Sequence, residues 1–129
     1  MMAEDANFEI STIGQISVTV HDIERATKFY KDTLGMKFLF SAGNMAFFQC
    51  GEVRLMLAVP EKAEFDHPAS INYYKVDDID STYKILTDRG VKFEGEPQLV
   101  HKAEDHDLWM ASFRDTEENL LALMDEKRD

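Results

Sequence analysis

The chain has 129 residues, 44% of them hydrophobic, which suits a single domain with a substantial core. Its 14 basic and 25 acidic residues give a net charge of −11, and this charge argues against nucleic acid and anionic membranes as partners. Cys50 is the only cysteine, which excludes an internal disulfide framework and favours a cytoplasmic location.

The chain contains a duplicated pattern. Residues Val20–Ile23 return as Val76–Ile79, and residues Gly35–Phe38 return as Gly90–Phe93. The two offsets differ by a single position, so the halves are copies separated by one gap. Two such copies are too few and too long for a stacked repeat array, and a duplicated half-domain is the better interpretation.

In the first half, alternating apolar residues predict a strand over 15–21. Asp22 is a favourable N-cap for a helix that reaches Leu34, and Gly35 is a favourable residue to end it. Further strands are predicted over 36–40, 45–50 and 53–59, and residues 61–68 form a charged connector.

The second half follows the same plan. A strand over 70–76 precedes a helix that Asp78 caps and that ends near Arg89. Strands are predicted over 91–94, 108–113 and 120–124, with a mobile loop over 100–107 and a turn over 115–119. The order β-α-β-β-β therefore occurs twice, in modules at about 13–60 and 69–125, which indicates one α+β domain with a cleft between curved sheets.

Three motifs carry a resemblance to a known family. They are Asp22-Ile23 followed by Phe29-Tyr30 and Leu34-Gly35, then Val76 with Asp78-Ile79, then Phe113 with Asp115 and Asn119-Leu120. Together they resemble the vicinal oxygen chelate superfamily, which includes glyoxalases, bleomycin resistance proteins and extradiol dioxygenases. The resemblance implies paired βαβββ modules, a homodimer and, in most members, a divalent metal in the cleft.

The four positions that the resemblance assigns to metal ligands can be examined directly. They hold Gln15, Met56, Ile71 and Ala122. Isoleucine and alanine have no donor atom, and a thioether is too soft for a hard divalent ion, so only Gln15 could serve as a ligand. We therefore predict no metal and no cofactor in this cleft.

Alternation along the strands predicts which side chains line the cleft together with these positions. The predicted ligand-binding set is mostly apolar with a few polar groups, as expected of a small-molecule pocket. It consists of Gln15, Ser17, Thr19, Arg54, Met56, Tyr73, Lys75, His106, Trp109 and Ala122.

Arg54 and Lys75 give this set its chemical character. Two cations in an otherwise apolar cavity favour a ligand with an aromatic or aliphatic body and a carboxylate or enolate-like oxygen. His106 is a candidate lid residue and Trp109 a candidate wall, although His106 could equally be a surface histidine and Trp109 could simply anchor the loop. The histidines of the 101–107 loop could also form an unforeseen metal site.

Two functions remain open from the sequence. One is a metal-free protein that binds a small organic ligand, similar in design to bleomycin resistance proteins. The other is an enzyme of the same superfamily, a lyase, isomerase or dioxygenase acting on a small oxygenated substrate. Membership of a superfamily does not fix the reaction.

Overall fold

A computed structural model describes residues 8–128 and contains two modules of the same design. The first comprises β1 (Gln15–Thr19), α1 (Ile23–Lys28), β2 (Lys37–Ala42), β3 (Met45–Cys50) and β4 (Val53–Ala58). The second comprises β5 (Asn72–Lys75), α2 (Ile79–Asp88), β6 (Gln98–Lys102), β7 (Asp107–Arg114) and β8 (Leu120–Lys127). The predicted α+β fold with two βαβββ modules is confirmed.

Each module is a four-stranded mixed sheet with one helix. The strand orders are β1-β4-β3-β2 and β5-β8-β7-β6, so the copies share one topology. The first strand of each module pairs in parallel with the last, and the remaining pairs are antiparallel. None of the helices in residues 8–128 is long and apolar enough to cross a bilayer.

Both helices begin at the predicted aspartates. The Asp22 carboxylate accepts a hydrogen bond from the Arg25 backbone N–H at 3.1 Å, and Asp78 accepts one from Ser81 at 3.1 Å. The first helix is predicted to be regular as far as Leu34, but after Lys28 it continues as a π-helical turn over Phe29–Thr33. That wider turn places the Tyr30 hydroxyl against a carboxylate of the second module, as described below.

In the second half, one predicted strand and one predicted loop differ from the structure. Residues 91–94 form only an isolated bridge between Phe93 and Phe113, whereas residues 100–102 of the predicted mobile loop belong to the edge strand β6, which begins after Pro97. All five residues of β6 are exposed. An edge strand with two exposed faces needs no alternation of apolar and polar residues, so its sequence carries little strand signal.

The turn between β7 and β8 joins the two modules. Asp115 is only 5% exposed, and its carboxylate accepts a hydrogen bond from the Tyr30 hydroxyl at 2.8 Å. The Asn119 side-chain amide donates to the Thr19 carbonyl at 3.0 Å and also to Asp115. Glu118 adopts φ +67° in this turn, a conformation that favours glycine and that no other described non-glycine residue adopts.

Glu117 extends the junction to the start of α1. Its side chain is 2% exposed and accepts hydrogen bonds from the backbone N–H groups of His21 at 2.8 Å and Asp22 at 2.9 Å. The Arg25 guanidinium donates to the other carboxylate oxygen at 2.6 Å. Burial by itself raises the pKa of the Glu117 carboxyl, but these hydrogen bonds outweigh burial and leave its pKa below the ordinary value of 4.5.

We expect Glu117→Gln to lower the free energy of unfolding at pH 7 by about 1.5–3 kcal/mol, because Arg25 loses a charged acceptor. The pKa of Glu117 is lower in the folded chain, so its stabilising contribution is complete above the unfolded pKa and is lost as the pH falls through the folded pKa. The difference between wild type and variant should therefore shrink on acidification. Urea denaturation between pH 7 and pH 3 measures it.

Glu24→Gln is the matched control, because Glu24 is exposed in the first turn of the same helix. We expect it to change stability by less than about 0.5 kcal/mol. A Glu117→Gln penalty that is equally large at pH 3 and pH 7 would contradict the role given to the charge.

Candidate functional site

The two faces of the first sheet differ in character. The face toward the helix is buried and contributes Val18, Phe48, Leu55 and Leu57 to the core. The opposite face, which we call the first open face, consists of three rows of paired side chains. Row one is Gln15, Arg54, Gln49 and Lys37; row two is Ser17, Met56, Phe47 and Phe40; row three is Thr19, Ala58, Met45 and Ala42.

Row one is polar and carries two cations. Arg54 and Lys37 are both exposed, and no described carboxylate forms an ion pair with either of them. Gln15 and Gln49 flank Arg54, and the Gln49 amide donates to the Gly51 carbonyl. One edge of this face can therefore receive an anion, although the chain as a whole is acidic.

Row two is apolar. The rings of Phe40 and Phe47 stack with their centroids 4.5 Å apart and an interplanar angle of 23°. Phe47 is 8% exposed and Phe40 47% exposed, so one ring supports the other at the surface. Beside them, the Gln15 amide approaches the Met56 sulfur at 3.8 Å. The middle of the face thus offers flat, polarisable contact area.

Row three lies beneath the connector between the modules. Together they enclose a cavity of about 680 Å³, whose lining includes Ser17, Thr19, Met45, Met56, Pro60 and Phe65. The connector is fixed to the sheet end by a hydrogen bond between the His21 Nε2 and an Asp66 oxygen, 2.9 Å apart. A cavity of this size is sufficient for a small organic molecule.

The predicted residues of the second module lie on the second sheet. Tyr73 pairs with Ala122 and Lys75 with Met124 on its non-helical face. Tyr73 is 50% exposed, and Ala122 is 1% exposed and so offers a ligand almost no contact area. The sequence predicts a single cleft shared with Gln15, Ser17, Thr19, Arg54 and Met56; the single chain instead places the two sets on separate sheets.

Lys75 and His106 differ from Arg54 because both have partners. The Lys75 ammonium lies 2.9 Å from Glu126, and His106 Nε2 lies 3.6 Å from the same carboxylate. His106 Nδ1 also lies 2.8 Å from an Asp105 oxygen. Lys75 therefore does not provide the free cation that the sequence suggested, since Glu126 compensates its charge.

Trp109 does not share a face with Ala122. It pairs with Asp125, whereas Ser112 pairs with Ala122, so alternation turns the indole toward the helical side of the sheet. There it packs against the core, and the Lys127 ammonium lies 4.9 Å from the ring centroid. In the single chain Trp109 therefore lies on the helical side of the second sheet, and its role as a wall of a ligand site stays a prediction.

The residues at the four family ligand positions do not fit a metal. Gln15 and Met56 are neighbours, as a shared site requires, but the pair offers one amide and one thioether. Ile71 and Ala122 add no donor. Across residues 8–128, no three His, Cys, Asp or Glu side chains converge closely enough to hold a metal ion, which includes the histidines of 101–107.

Lys37, Phe40 and Phe47 are among the residues of the first open face that escaped prediction from the sequence. Their strands were predicted, but their sides depend on the pairing register with β4 and on the irregularity between Phe38 and Phe40 in β2. Alternation extended from Arg54 across an assumed antiparallel hairpin could have found Phe47, because Met56 pairs with it directly.

Comparison with known proteins agrees with the fold. Residues 12–123 match the family described as the Glyoxalase/Bleomycin resistance protein/Dioxygenase superfamily. An uncharacterized Bacillus subtilis protein, YraH, is 31% identical over 123 residues, covering 84% of this chain and 94% of that protein.

Solved structures of the same architecture match nearly the whole chain. A member of the same superfamily from Sphaerobacter thermophilus is 27% identical with a TM-score of 0.73, over 91% of this chain and 98% of its own. A lactoylglutathione lyase from Agrobacterium tumefaciens has a TM-score of 0.74 at 21% identity, over 91% of this chain and 95% of its own, which supports the fold alone.

We expect the purified protein to retain no tightly bound Zn²⁺, Ni²⁺, Fe²⁺ or Mn²⁺ after dialysis, because three of the four ligand positions lack a hard donor. Elemental analysis by mass spectrometry measures the metal content per chain. Gln15→Ala should leave that content unchanged. One equivalent of metal per wild-type chain that is lost in Gln15→Ala would show that the site binds metal after all.

Proposed function

The chain belongs to the Glyoxalase/Bleomycin resistance protein/Dioxygenase superfamily, and on that premise we propose that it binds a small organic ligand without a metal. The first open face is the proposed site. The observation that carries this proposal is the order of features across the first open face, which has a cationic edge, an aromatic centre and a cavity under the connector.

The dimensions of the face define the ligand. Arg54 and Ala58 lie four positions apart along β4, which corresponds to about 13 Å in an extended strand. A ligand with an anionic head at Arg54 would therefore place a short arm over Phe47 and Met56 and end at the cavity. An arylalkyl carboxylate has this shape and charge.

The exposure of Arg54 determines how much its guanidinium can contribute to the free energy of ligand binding. The sequence suggested a cation buried in a cleft, but Arg54 is exposed in the single chain. A solvated ion pair contributes about 0.2–1 kcal/mol, far less than a desolvated one. Most of the affinity should therefore come from apolar contact, with the cationic edge selecting carboxylates over neutral analogues.

An enzyme acting on an oxygenated substrate stays the alternative function, and no feature of the described residues favours a particular reaction. The homodimer implied by the family resemblance also stays a prediction. Among the side chains that a second copy could cover are Phe40, Met45 and Tyr73, which are 47%, 37% and 50% exposed.

We expect the protein to bind 4-phenylbutyrate more tightly than the neutral 4-phenylbutanol, because only the carboxylate pairs with row one. Arg54→Met should weaken 4-phenylbutyrate binding by up to about fivefold, or about 1 kcal/mol, and leave 4-phenylbutanol unchanged. Isothermal titration calorimetry on both ligands measures the selectivity.

Lys92→Met is the control for net charge, because Lys92 is an exposed cation outside the first open face. It should retain the selectivity of the wild type. Equal affinity of wild type and Arg54→Met for 4-phenylbutyrate would rule out the anion-binding edge, and no binding of either ligand would count against the face as a site.

A further inference from the structure

A crevice between the two modules contains two neighbouring cavities. Their volumes are about 450 Å³ and 240 Å³, and both are bordered by Cys50, Tyr73 and Tyr74. The larger cavity extends toward Leu34, Met36, Thr82, Leu86 and Phe113, and the smaller toward Ile16, Val53, Leu55 and Ile71. We call this space the intermodule crevice.

The intermodule crevice is distinct from the first open face. Leu55, Leu86 and Phe113, which form its walls, belong to the buried core on the helical sides of the sheets. The cavity of the first open face is bordered instead by Ser17, Thr19 and the connector. A ligand in one space therefore does not occupy the other.

Tyr74, which borders both cavities, offers the crevice a hydrogen-bond donor. The Tyr74 hydroxyl oxygen receives only a long contact of 3.5 Å from the Asn72 amide, and its own proton has no acceptor among residues 8–128. Burial raises the pKa of Tyr74 to about 12, so the hydroxyl keeps this proton at neutral pH. Tyr74 can therefore donate a hydrogen bond to an oxygen acceptor in either cavity.

The walls carry no uncompensated charge. Burial raises the pKa of the Cys50 thiol and keeps it neutral, and the charge of Lys75, at the edge of the larger cavity, is compensated by Glu126 at 2.9 Å. A charged ligand would lose its hydration without gaining a partner here. A neutral aromatic ring fits such walls, since an apolar cavity of about 150 Å³ already holds benzene.

We propose that the intermodule crevice is a second binding site, specific for a neutral molecule with one aromatic ring and one oxygen acceptor. The ring packs against Leu34 and Met36, which are only partly buried, and the oxygen accepts the Tyr74 proton. This assignment does not depend on the function proposed for the first open face, because the crevice favours a neutral ligand and the first open face favours an anion.

The single cysteine makes the site directly measurable. Cys50 borders both cavities and is the only thiol in the chain, so its rate of reaction with a disulfide reagent such as 5,5′-dithiobis(2-nitrobenzoate) reports occupancy of this crevice. We expect saturating acetophenone to slow the reaction at least fivefold, and benzoate at the same concentration to leave it unchanged.

Three variants locate the effect. Tyr74→Phe should raise the acetophenone concentration for half-protection at least fivefold, since it removes only the hydroxyl. Thr82→Leu, which narrows the larger cavity and leaves Tyr74 intact, should weaken protection as well. In Arg54→Met, acetophenone should protect Cys50 as it does in the wild type, although this variant loses carboxylate selectivity on the first open face.

Absence of protection by acetophenone in the wild type overturns the proposal. If half-protection of Cys50 requires the same acetophenone concentration in the wild type and in Tyr74→Phe, Tyr74 is not the donor. If benzoate protects Cys50 as well as acetophenone does, the site is not specific for neutral molecules. Because calorimetry with 4-phenylbutyrate tests the other face, failure of either site is distinguishable from failure of the other.

Discussion

The buried carboxylate of Asp115 is the constraint on which the packing of the two modules depends. It accepts hydrogen bonds from the Tyr30 hydroxyl, from the backbone N–H groups of Glu117 and Asn119, and from the Asn119 side chain, all between 2.8 and 2.9 Å. An unpaired carboxylate at this depth would be strongly destabilising, so all these donors must be brought together. Since Tyr30 comes from the first module and the others from the second, satisfying the charge fixes how the modules meet.

This junction also determines which faces of the two sheets stay open. Arg89 at the end of α2 donates to the Thr33 carbonyl at 2.8 Å, so the helical sides of the two modules adjoin. The opposite side of the first sheet is left to carry Arg54, Lys37 and the stacked phenylalanines, and the corresponding side of the second sheet carries the ion pair between Lys75 and Glu126. The duplicated modules therefore have the same topology but open faces of different character: the first has cations without described partners, whereas the second has compensated charges.

The features predicted from the sequence are those that depend only on residues close together along the chain. Asp22 and Asp78 mark both helix starts because a side-chain cap needs only a neighbouring N–H, and the duplicated motifs predicted the topology because each module repeats one plan. The strand β6 was missed because an exposed edge strand requires no pattern. The face on which Trp109 lies and the partner of Lys75 were not predicted, because both depend on pairing with β8, which no local window of sequence contains. Gln15, Ser17, Thr19, Arg54 and Met56 were grouped correctly on one face, because the family resemblance aligned Gln15 with Met56 and alternation within each strand supplied the rest.

The central claim is that the first open face binds an amphipathic carboxylate without a metal. Titration of ¹⁵N-labelled protein with 4-phenylbutyrate in the presence of a chelator, followed by NMR chemical shifts, tests it most directly. We expect the largest chemical-shift changes along β3 and β4, at Phe47, Arg54 and Met56, and in the connector near Phe65. Shifts confined to the second sheet around Lys75 and Glu126, or binding that appears only when a divalent metal replaces the chelator, would contradict it.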